Sequence, residues 1–354
     1  MKVMLANDTG VVNHVGCQGV SDAHARMLGR AGHRVTRRFF IGELGRFRSR
    51  DPEAGLRLVL RDEAFMAQLH EVDALVVNGE GTIHHGAGTE YLNILGAAAR
   101  IGKKTLLVNC VLEAIEGFDS IFGMIDDIVV RDHRSAAWLR SRGGESRVVP
   151  DSFIEAQFSS EPLLDLDGRI AVTDWHHARD KDVGAASIAF MRRRTEAQAF
   201  FFPLMSGDVA PFWRRAPATL ARARYVVTGR HHGVYAALLA DVPFVALSSN
   251  TYKIAGLLDA FPDLRFCLDP VSIDEALAQA AREGEVYRGM REAILGARPL
   301  TTFRSLGGAA DPDGERRECE RLQDDIMRRA ALRDDDLVYR MRRRSRETCA
   351  DGAV

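Results

Sequence analysis

The fold is decided by YVVTGRHHGVYAALLADVPFVAL, residues 225–247. This stretch opens with an apolar strand, Tyr225 to Thr228, and passes through the polar turn Gly-Arg-His-His-Gly at 229–233. An apolar helix, Val234 to Ala240, and a second apolar strand, Pro243 to Leu247, follow. Two strands joined by a helix at this spacing indicate a parallel βαβ unit, which places the polar turn at the carboxyl end of the first strand.

The same alternation extends through most of the chain. Further strands are predicted at 3–6, 35–40, 73–78, 104–110, 125–130, 147–150, 170–173 and 199–204. Helices are predicted from an N-cap at Ser21 to Gly32, and at 56–70, 91–102, 133–142, 182–198, 220–224, 254–260 and 273–282. Such alternation predicts an α/β protein with doubly wound parallel sheets.

A polar break at 159–168 separates two such series. We therefore expect two Rossmann-like domains, 1–160 and 161–311, followed by a charged helix and tail, 312–354, whose Arg-rich end at 340–346 is solvated or frayed.

Composition excludes several classes of protein. The 354 residues are 46% hydrophobic and 27% charged, which is typical of a globular protein and excludes disordered and collagen-like chains. The net charge of -1 argues against a nucleic-acid-binding protein, which usually carries a strong positive balance. The chain has 43 Arg and only 5 Lys, a bias that a GC-rich genome explains. An individual lysine in a suggestive position is therefore more informative than an arginine.

The cysteines and the hydropathy pattern predict a cytoplasmic protein. The opening apolar run is too short for a signal peptide, and no stretch reaches the roughly 18 apolar residues of a membrane span. The five cysteines are scattered without a C-x-x-C pair, which excludes a disulfide framework and a zinc ribbon: Cys17, Cys110, Cys267, Cys319 and Cys349. The sequence leaves the oligomeric state open, a homo-oligomer included.

Polar loops at the ends of predicted strands are the candidate ligand sites, because ligands bind at the carboxyl ends of strands in open α/β sheets. The first loop contains Asn13 and Gly16 ahead of a helix, where backbone N–H groups attract anions. An ordinary glycine turn explains that loop equally well. Another loop contains Arg131, which offers either a bidentate fork to an anion or a surface ion pair.

A glycine-containing loop follows the strand that ends at Asn78. Gly79, Glu80 and Gly81 allow a ligand to approach the backbone closely. The pattern is not a dinucleotide-binding G-x-G-x-x-G, because the third glycine position holds His84.

The turn after Thr228 is the most informative. Arg230, His231 and His232 leave one predicted strand, and the rare Lys253 leaves the next. If these strands are neighbours, Arg230, His232 and Lys253 converge on one anion. An imidazole also suits proton transfer at neutral pH, since its unperturbed pKa is about 6.5.

Three His-His pairs raise the question of a metal. They are His84-His85, His176-His177 and His231-His232. Adjacent residues seldom point at one ion, and neither H-E-x-x-H nor a carboxylate-rich partner motif is present, so no metal ligand is assigned. G-x-S-x-G and P-loop motifs are absent as well.

The order of these segments resembles the polysaccharide pyruvyl transferase family. The matching pieces are Asn13-x-x-Gly16, Asn-Gly-Glu-Gly-Thr at 78–82, Val-Arg-Asp-x-x-Ser at 130–135, Leu139 with Gly143, Pro150-Asp151, Arg230-x-His232-Gly233, and Pro243 with Lys253. The resemblance spans residues 1 to about 300, and it implies a two-domain fold of the glycosyltransferase-B type, with a cleft between the domains.

The resemblance also implies an activity. Such enzymes place a pyruvyl ketal on a sugar and take the pyruvyl group from phosphoenolpyruvate, with no cofactor. Arg131, Arg230 and Lys253 would hold the phosphate and carboxylate of the donor, and His232 would be the acid/base or a phosphate contact. The first domain would then bind the acceptor, a sugar or a lipid-linked saccharide, and the second domain the donor.

Some positions differ from the family's usual pattern. Cys17 stands where the family often has Asp, the glycine loop is Gly-Glu-Gly, and the segment 175–224 is short. These differences fall where an acceptor would bind, so they bear on the identity of the acceptor rather than on that of the donor. Two other hypotheses stay open: a glycosyltransferase of the same architecture that uses a nucleotide sugar, with Glu80 as base, and a non-catalytic assembly protein whose contact surface is the helix after Pro312.

Overall fold

Two parallel sheets, one in each half of the chain, organise the protein in this computed structural model. The structure describes residues 1–81, 83–176, 181–205, 212–264, 266–267, 272–297 and 302–329. The first sheet consists of Lys2–Asp8 (β1), Arg34–Phe40 (β2), Ala74–Asn78 (β3), Lys104–Cys110 (β4), Asp127–Val130 (β5) and Arg147–Val148 (β6). Its order is β2-β1-β3-β4-β5-β6, and every neighbouring pair is parallel.

The second sheet repeats this topology. It consists of Ile170–Val172 (β7), Ala199–Phe201 (β8), Tyr225–Thr228 (β9), Phe244–Leu247 (β10) and Phe266–Cys267 (β11), in the order β11-β10-β9-β7-β8. All of its neighbouring pairs are parallel. In both sheets the strand order reverses beside the first strand, between β1 and β3 and between β7 and β9. A crevice at such a point is the usual ligand site of a doubly wound sheet.

Helices connect the strands. They are Val15–Arg30 (α1), Pro52–Arg61 (α2), Glu63–His70 (α3), Thr89–Arg100 (α4), Asp119–Phe122 (α5), His133–Arg140 (α6), Lys181–Arg192 (α7), Ala216–Leu220 (α8), His231–Ala240 (α9), Lys253–Leu258 (α10), Ile273–Ala280 (α11) and Gly284–Gly296 (α12). Residues 314–329 are also helical (α13). Over the described part of the chain, no helix is long and apolar enough to cross a membrane.

The alternating strands and helices confirm the predicted α/β class, but several predicted helix ends are wrong. The first helix begins at Val15 rather than after Ser21, because the His14 side chain caps it. The hydroxyl of Ser21 instead donates to Asp8 Oδ1 at 2.5 Å, inside the helix. The single helix predicted at 56–70 is two helices, because Asp62 ends α2 and caps α3 through the N–H of Phe65.

Further along the chain, α7 ends at Arg192 rather than Gln198. The sequence analysis missed α12 altogether, although its buried residues Met290 and Ile294 have helical spacing. The predicted frayed end at 340–346 lies outside the described residues.

Apolar side chains fill both faces of each sheet. In the first sheet, Leu75 and Val77 face one cluster, whereas Leu5 and Val76 face another. This alternation follows from the period of two along a strand and places a core on each side of the sheet. Two further clusters cover the faces of the second sheet.

The end of the described chain returns to the first sheet. Phe303 and Leu306 join the cluster that contains Leu5, and Glu318 on α13 accepts a hydrogen bond from Val35 N of the edge strand β2 at 3.2 Å. Helix α13 follows Pro312 and was one candidate contact surface for other proteins. At Glu318 it instead covers the edge strand β2 of its own chain. The domain limits predicted at 160/161 and 311/312 stay predictions.

Candidate functional site

The carboxyl ends of the two sheets meet in one cluster of polar side chains. Glu80 follows β3, Asp151 follows β6, and His232 lies in the first turn of α9 after β9. His232 Nε2 lies 3.3 Å from Asp151 Oδ2 and 3.8 Å from Glu80 Oε1. A side chain of the second half thus contacts two carboxylates of the first half, and the site lies between the sheets.

Gly16 brings α1 close to this cluster. A Cβ placed on Gly16 would lie 1.9 Å from His232 Nδ1 and 2.1 Å from its Cγ. The His232 ring also packs against Phe153, with 5.4 Å between ring centroids. Only glycine allows this approach, which explains a glycine here without invoking an anion bound to its backbone.

Glu80 is held by the carboxyl ends of neighbouring strands. Its Oε2 accepts from Thr9 Oγ1 at 2.6 Å and from Asn78 Nδ2 at 3.3 Å. Glu80 is only 5% exposed, and these two hydrogen bonds fix the position of its carboxylate. Cys17 lies beside it, and burial together with the charge of Glu80 raises the pKa of this thiol well above its usual value.

Asp151 is the centre of a buried ionic network. Its Oδ2 lies 2.5 Å from Arg131 Nη1 and 3.3 Å from His231 Nε2, and its Oδ1 accepts from Phe153 N at 2.9 Å. Burial by itself raises the pKa of Asp151, but the charges of His232 and Arg131 outweigh burial and lower it well below the usual value. Burial lowers the pKa of His231 to about 3, with Arg131 acting in the same direction, so His231 is neutral.

Arg131 lies beneath the cleft rather than in it. Its side chain is 2% exposed, and besides Asp151 it donates to the backbone oxygen of Glu80 at 3.4 Å. This geometry makes Arg131 a positioning residue for the carboxylate and for the glycine loop. A direct contact between Arg131 and a bound anion stays a prediction, because Asp151 occupies the guanidinium here.

Arg230 is held by the loop after β7. Its Nε donates to Asp174 Oδ2 at 2.7 Å, and its Nη2 donates to the oxygen of Trp175 at 3.0 Å. Asp174 in turn accepts from Leu204 N at 2.7 Å. Strands β7 and β9 flank the switch point of the second sheet, so Arg230 occupies the position that Glu80 occupies in the first.

Lys253 begins α10 and reaches across to the glycine loop. Its Nζ donates to Asn250 Oδ1 at 2.6 Å, and a Cβ placed on Gly81 would lie 3.9 Å from that nitrogen. Burial and the nearby charges of Arg131 and Arg230 lower the pKa of Lys253 to about 8. Strand β10 pairs with β9, as the sequence analysis required for Lys253 and His232 to converge.

Most of the predicted site residues come together. Lys253, Arg230, His232 and Glu80 are close enough to influence one another's charge or that of His14. Of the other predicted binding residues, Asn13 is exposed in the loop before α1. Gly79 packs against Cys110, since a Cβ placed on it would lie 2.2 Å from the Cys110 Cβ.

Sequence reasoning gave no role to two residues of this cluster. His14 was missed because it stands at an unspecified position of the pattern Asn13-x-x-Gly16. Asp151 was quoted for the resemblance alone, although a carboxylate directly after the predicted strand 147–150 could have marked it.

Two of the three histidine pairs lie wholly within the described residues. His84 and His85 contact each other, with Nδ1 atoms 3.1 Å apart, and His85 faces Glu113 at 3.7 Å. His177 lies outside the described residues. In the part of the chain that the structure describes, no group of three His, Cys, Asp or Glu side chains is arranged to hold a metal ion.

Comparison with known proteins identifies the family. The sequence model of the family named Polysaccharide pyruvyl transferase matches residues 30–251. The chain therefore belongs to the polysaccharide pyruvyl transferase family, an enzyme family, as the order of motifs predicted. No curated protein matches the sequence significantly.

Solved structures share the architecture. The UDP-GlcNAc 2-epimerase from Neisseria meningitidis bound to UDP-GlcNAc superposes with a TM-score of 0.55 at 10% identity, covering 86% of this chain and 100% of that one. The glycotransferase of kitacinnamycin superposes with a TM-score of 0.50 at 13% identity, covering 86% of this chain and 96% of that one. These likenesses confirm the glycosyltransferase-B-like fold of two Rossmann-like units.

Proposed function

We propose that this enzyme transfers a pyruvyl group from phosphoenolpyruvate to two hydroxyls of a sugar, forming a cyclic ketal. The acceptor is a sugar, free or lipid-linked, of a cell-surface or exopolysaccharide precursor. The reaction takes place in the cytoplasm, where phosphoenolpyruvate is available.

The observation that carries this proposal is the lack of a carboxylate partner for the ammonium of Lys253 among the described residues. Among the described residues, no carboxylate lies within ion-pair distance of its ammonium, whose hydrogen-bond partner is the neutral amide of Asn250. Burial, followed by the charges of Arg131 and Arg230, lowers the pKa of Lys253, and the charge of Glu80 acts in the opposite direction. A half-buried ammonium without a carboxylate in direct contact favours a small, densely charged anion, and phosphoenolpyruvate carries a phosphate and a carboxylate.

The chemistry needs a proton at one carbon and a nucleophile at the next. One sugar hydroxyl forms a C–O bond to C2 of the donor and loses its proton, while C3 gains a proton. The second hydroxyl then forms another C–O bond to C2 and also loses its proton, and the C–O bond to phosphate breaks. The products are one ketal and inorganic phosphate.

His232 and Glu80 are the proposed proton carriers. His232 Nε2 lies 3.8 Å from Glu80 Oε1, and the same nitrogen also contacts Asp151 Oδ2 at 3.3 Å. A positioned acid or base of this kind contributes about 10²- to 10⁴-fold to the rate. Arg230 and Lys253 would stabilise the charge that develops on the departing phosphate.

Donor binding tests the proposal without knowledge of the acceptor. Calorimetric titration of the wild-type protein with phosphoenolpyruvate is expected to show saturable binding. Lys253→Met should weaken it about tenfold or more, because a hydrogen bond to a charged group is lost. Lys104→Met is the matched control, since Lys104 pairs with Asp126 at the start of β4, away from the cleft.

Activity is then assayed with a panel of sugars that carry neighbouring hydroxyls, and phosphate release is followed. His232→Ala should abolish the release. If nucleotide sugars bind and phosphoenolpyruvate does not, the enzyme is a glycosyltransferase of the same architecture, and the proposal is wrong.

A further inference from the structure

His14 has a side chain whose two ring nitrogens have different surroundings. Its Nδ1 accepts hydrogen bonds from the backbone N–H groups of Gly16 at 3.0 Å and Cys17 at 3.3 Å. A nitrogen that accepts carries no proton, so the proton of the neutral ring must lie on Nε2. The N-cap of α1 thus determines the tautomer of this histidine.

The rest of the fold holds the ring at the cleft. The backbone of His14 forms an antiparallel bridge with Met205, and the next N–H, that of Val15, donates to Leu204 O at 2.8 Å. The ring packs edge-on against His232, with 5.6 Å between centroids. His14 therefore joins the start of α1 to the second half of the chain, beside the group proposed to transfer the proton.

The Nε2–H of His14 is available to a ligand. His14 is only 7% exposed, yet no group among the described residues accepts a hydrogen bond from its Nε2. Burial, followed by the charges of His232, Arg230 and Lys253, lowers the pKa of His14 well below its usual value. The ring accordingly stays neutral, with its one donor on Nε2, and it lies close enough to Arg230 and Lys253 for their charges to act on it.

We propose that His14 is a binding residue for the donor substrate, and that its Nε2–H donates a hydrogen bond to an anionic oxygen of phosphoenolpyruvate beside Lys253. This inference rests on the proposed function of the site. A neutral donor in a fixed position stabilises an anion without adding to the repulsion among the cations. It also donates over the whole working pH range, since it does not titrate there.

A purely structural role as a helix cap is the competing explanation, and conservative caps separate the two. Asn and Ser are good N-cap residues, so His14→Asn and His14→Ser keep an acceptor for the N–H of Gly16. Their shorter side chains remove the Nε2–H donor. We expect both variants to unfold within about 2 °C of the wild type, because a cap is worth only about 1 kcal/mol.

Phosphoenolpyruvate titrations should then show the loss. We expect its Kd to rise about 10- to 100-fold in His14→Asn and His14→Ser, as for one lost hydrogen bond to a charged group. Asp51→Asn is the matched control, because Asp51 caps α2 by accepting from Glu53 N at 3.0 Å, remote from the cleft. That variant should bind phosphoenolpyruvate like the wild type.

Nitrogen-15 NMR of histidine-labelled protein gives a second readout. The resonance pair that disappears in His14→Asn should show a protonated Nε2 between pH 6 and 8, and its Nε2–H should shift when phosphoenolpyruvate is added. Wild-type affinity in His14→Asn, or a proton on Nδ1, overturns the role of His14 while leaving the proposed function intact. If the wild-type protein binds no phosphoenolpyruvate, both proposals are wrong.

Discussion

Replacing Gly16 by Ala perturbs the cleft with one methyl group. The new Cβ would lie 1.9 Å from His232 Nδ1, whereas ordinary contact begins at 3.4 Å, so the ring must move by about 1.5 Å. It has little room, since Phe153 and His231 pack against it at 5.4 and 5.5 Å between centroids. Movement of the ring also changes its 3.3 Å contact with Asp151.

Two magnitudes follow from this displacement. Overpacking of a close contact lowers the free energy of unfolding by about 1–3 kcal/mol. Misplacement of a reacting group by roughly 1 Å reduces the rate about 100-fold. We therefore expect Gly16→Ala to fold, to unfold at slightly lower urea concentration, and to release phosphate from phosphoenolpyruvate at about one hundredth of the wild-type rate.

Urea unfolding and the phosphate-release assay measure the two effects separately. Gly289→Ala is the matched control, because nothing lies within 4 Å of a Cβ at this position of α12, and its stability should be equal or slightly higher. In Gly16→Ala/His232→Ala the clash is absent, so the two destabilisations should not add. Wild-type stability and activity in Gly16→Ala would refute the reasoning.

Three further predictions concern the charges. Phosphoenolpyruvate affinity should fall as pH rises through about 8, where Lys253 loses its proton, and titrations from pH 6.5 to 9.5 should show no such fall in Lys253→Arg. Asp151→Asn should lower the free energy of unfolding by about 3–5 kcal/mol in urea, because it leaves a buried arginine uncompensated; a loss under 1 kcal/mol contradicts the network. Arg134→Ala should lower the free energy of unfolding by less than about 1 kcal/mol in the same assay, since its ion pair with Asp259 is exposed. A larger loss would contradict this and show that the pair stabilises the contact between the two halves.

The polar turn at 229–233 shows how much local sequence predicts. Its glycines, its cation and its imidazoles follow an apolar strand, and the structure has the strand Tyr225–Thr228 with the helix His231–Ala240 after it. Strand and helix formation depend on periodicity and on nearby turn residues, which are written in neighbouring positions. The order of such segments also sufficed to predict the family.

The beginning of α1 shows where local sequence fails. Ser21 has the chemistry of an N-cap, but His14 caps the helix and Ser21 donates to Asp8. Judged from the neighbouring residues alone, either His14 or Ser21 could cap the helix. Contacts with Leu204 and Met205, nearly two hundred positions away, favour the earlier start.

The same division holds for the candidate site as a whole. Residue types and strand ends made Arg131, Arg230, His232 and Lys253 candidates, because such positions are recognised from the few residues directly after each strand. The availability of a cation for a ligand depends on its partners, and those come from other strands. Asp151 pairs with Arg131 and Asp174 pairs with Arg230, whereas the hydrogen-bond partner of the Lys253 ammonium among the described residues is the amide of Asn250. Electrostatic energy falls with distance in space rather than along the chain, so only the folded structure shows which cation lacks a carboxylate partner among the described residues.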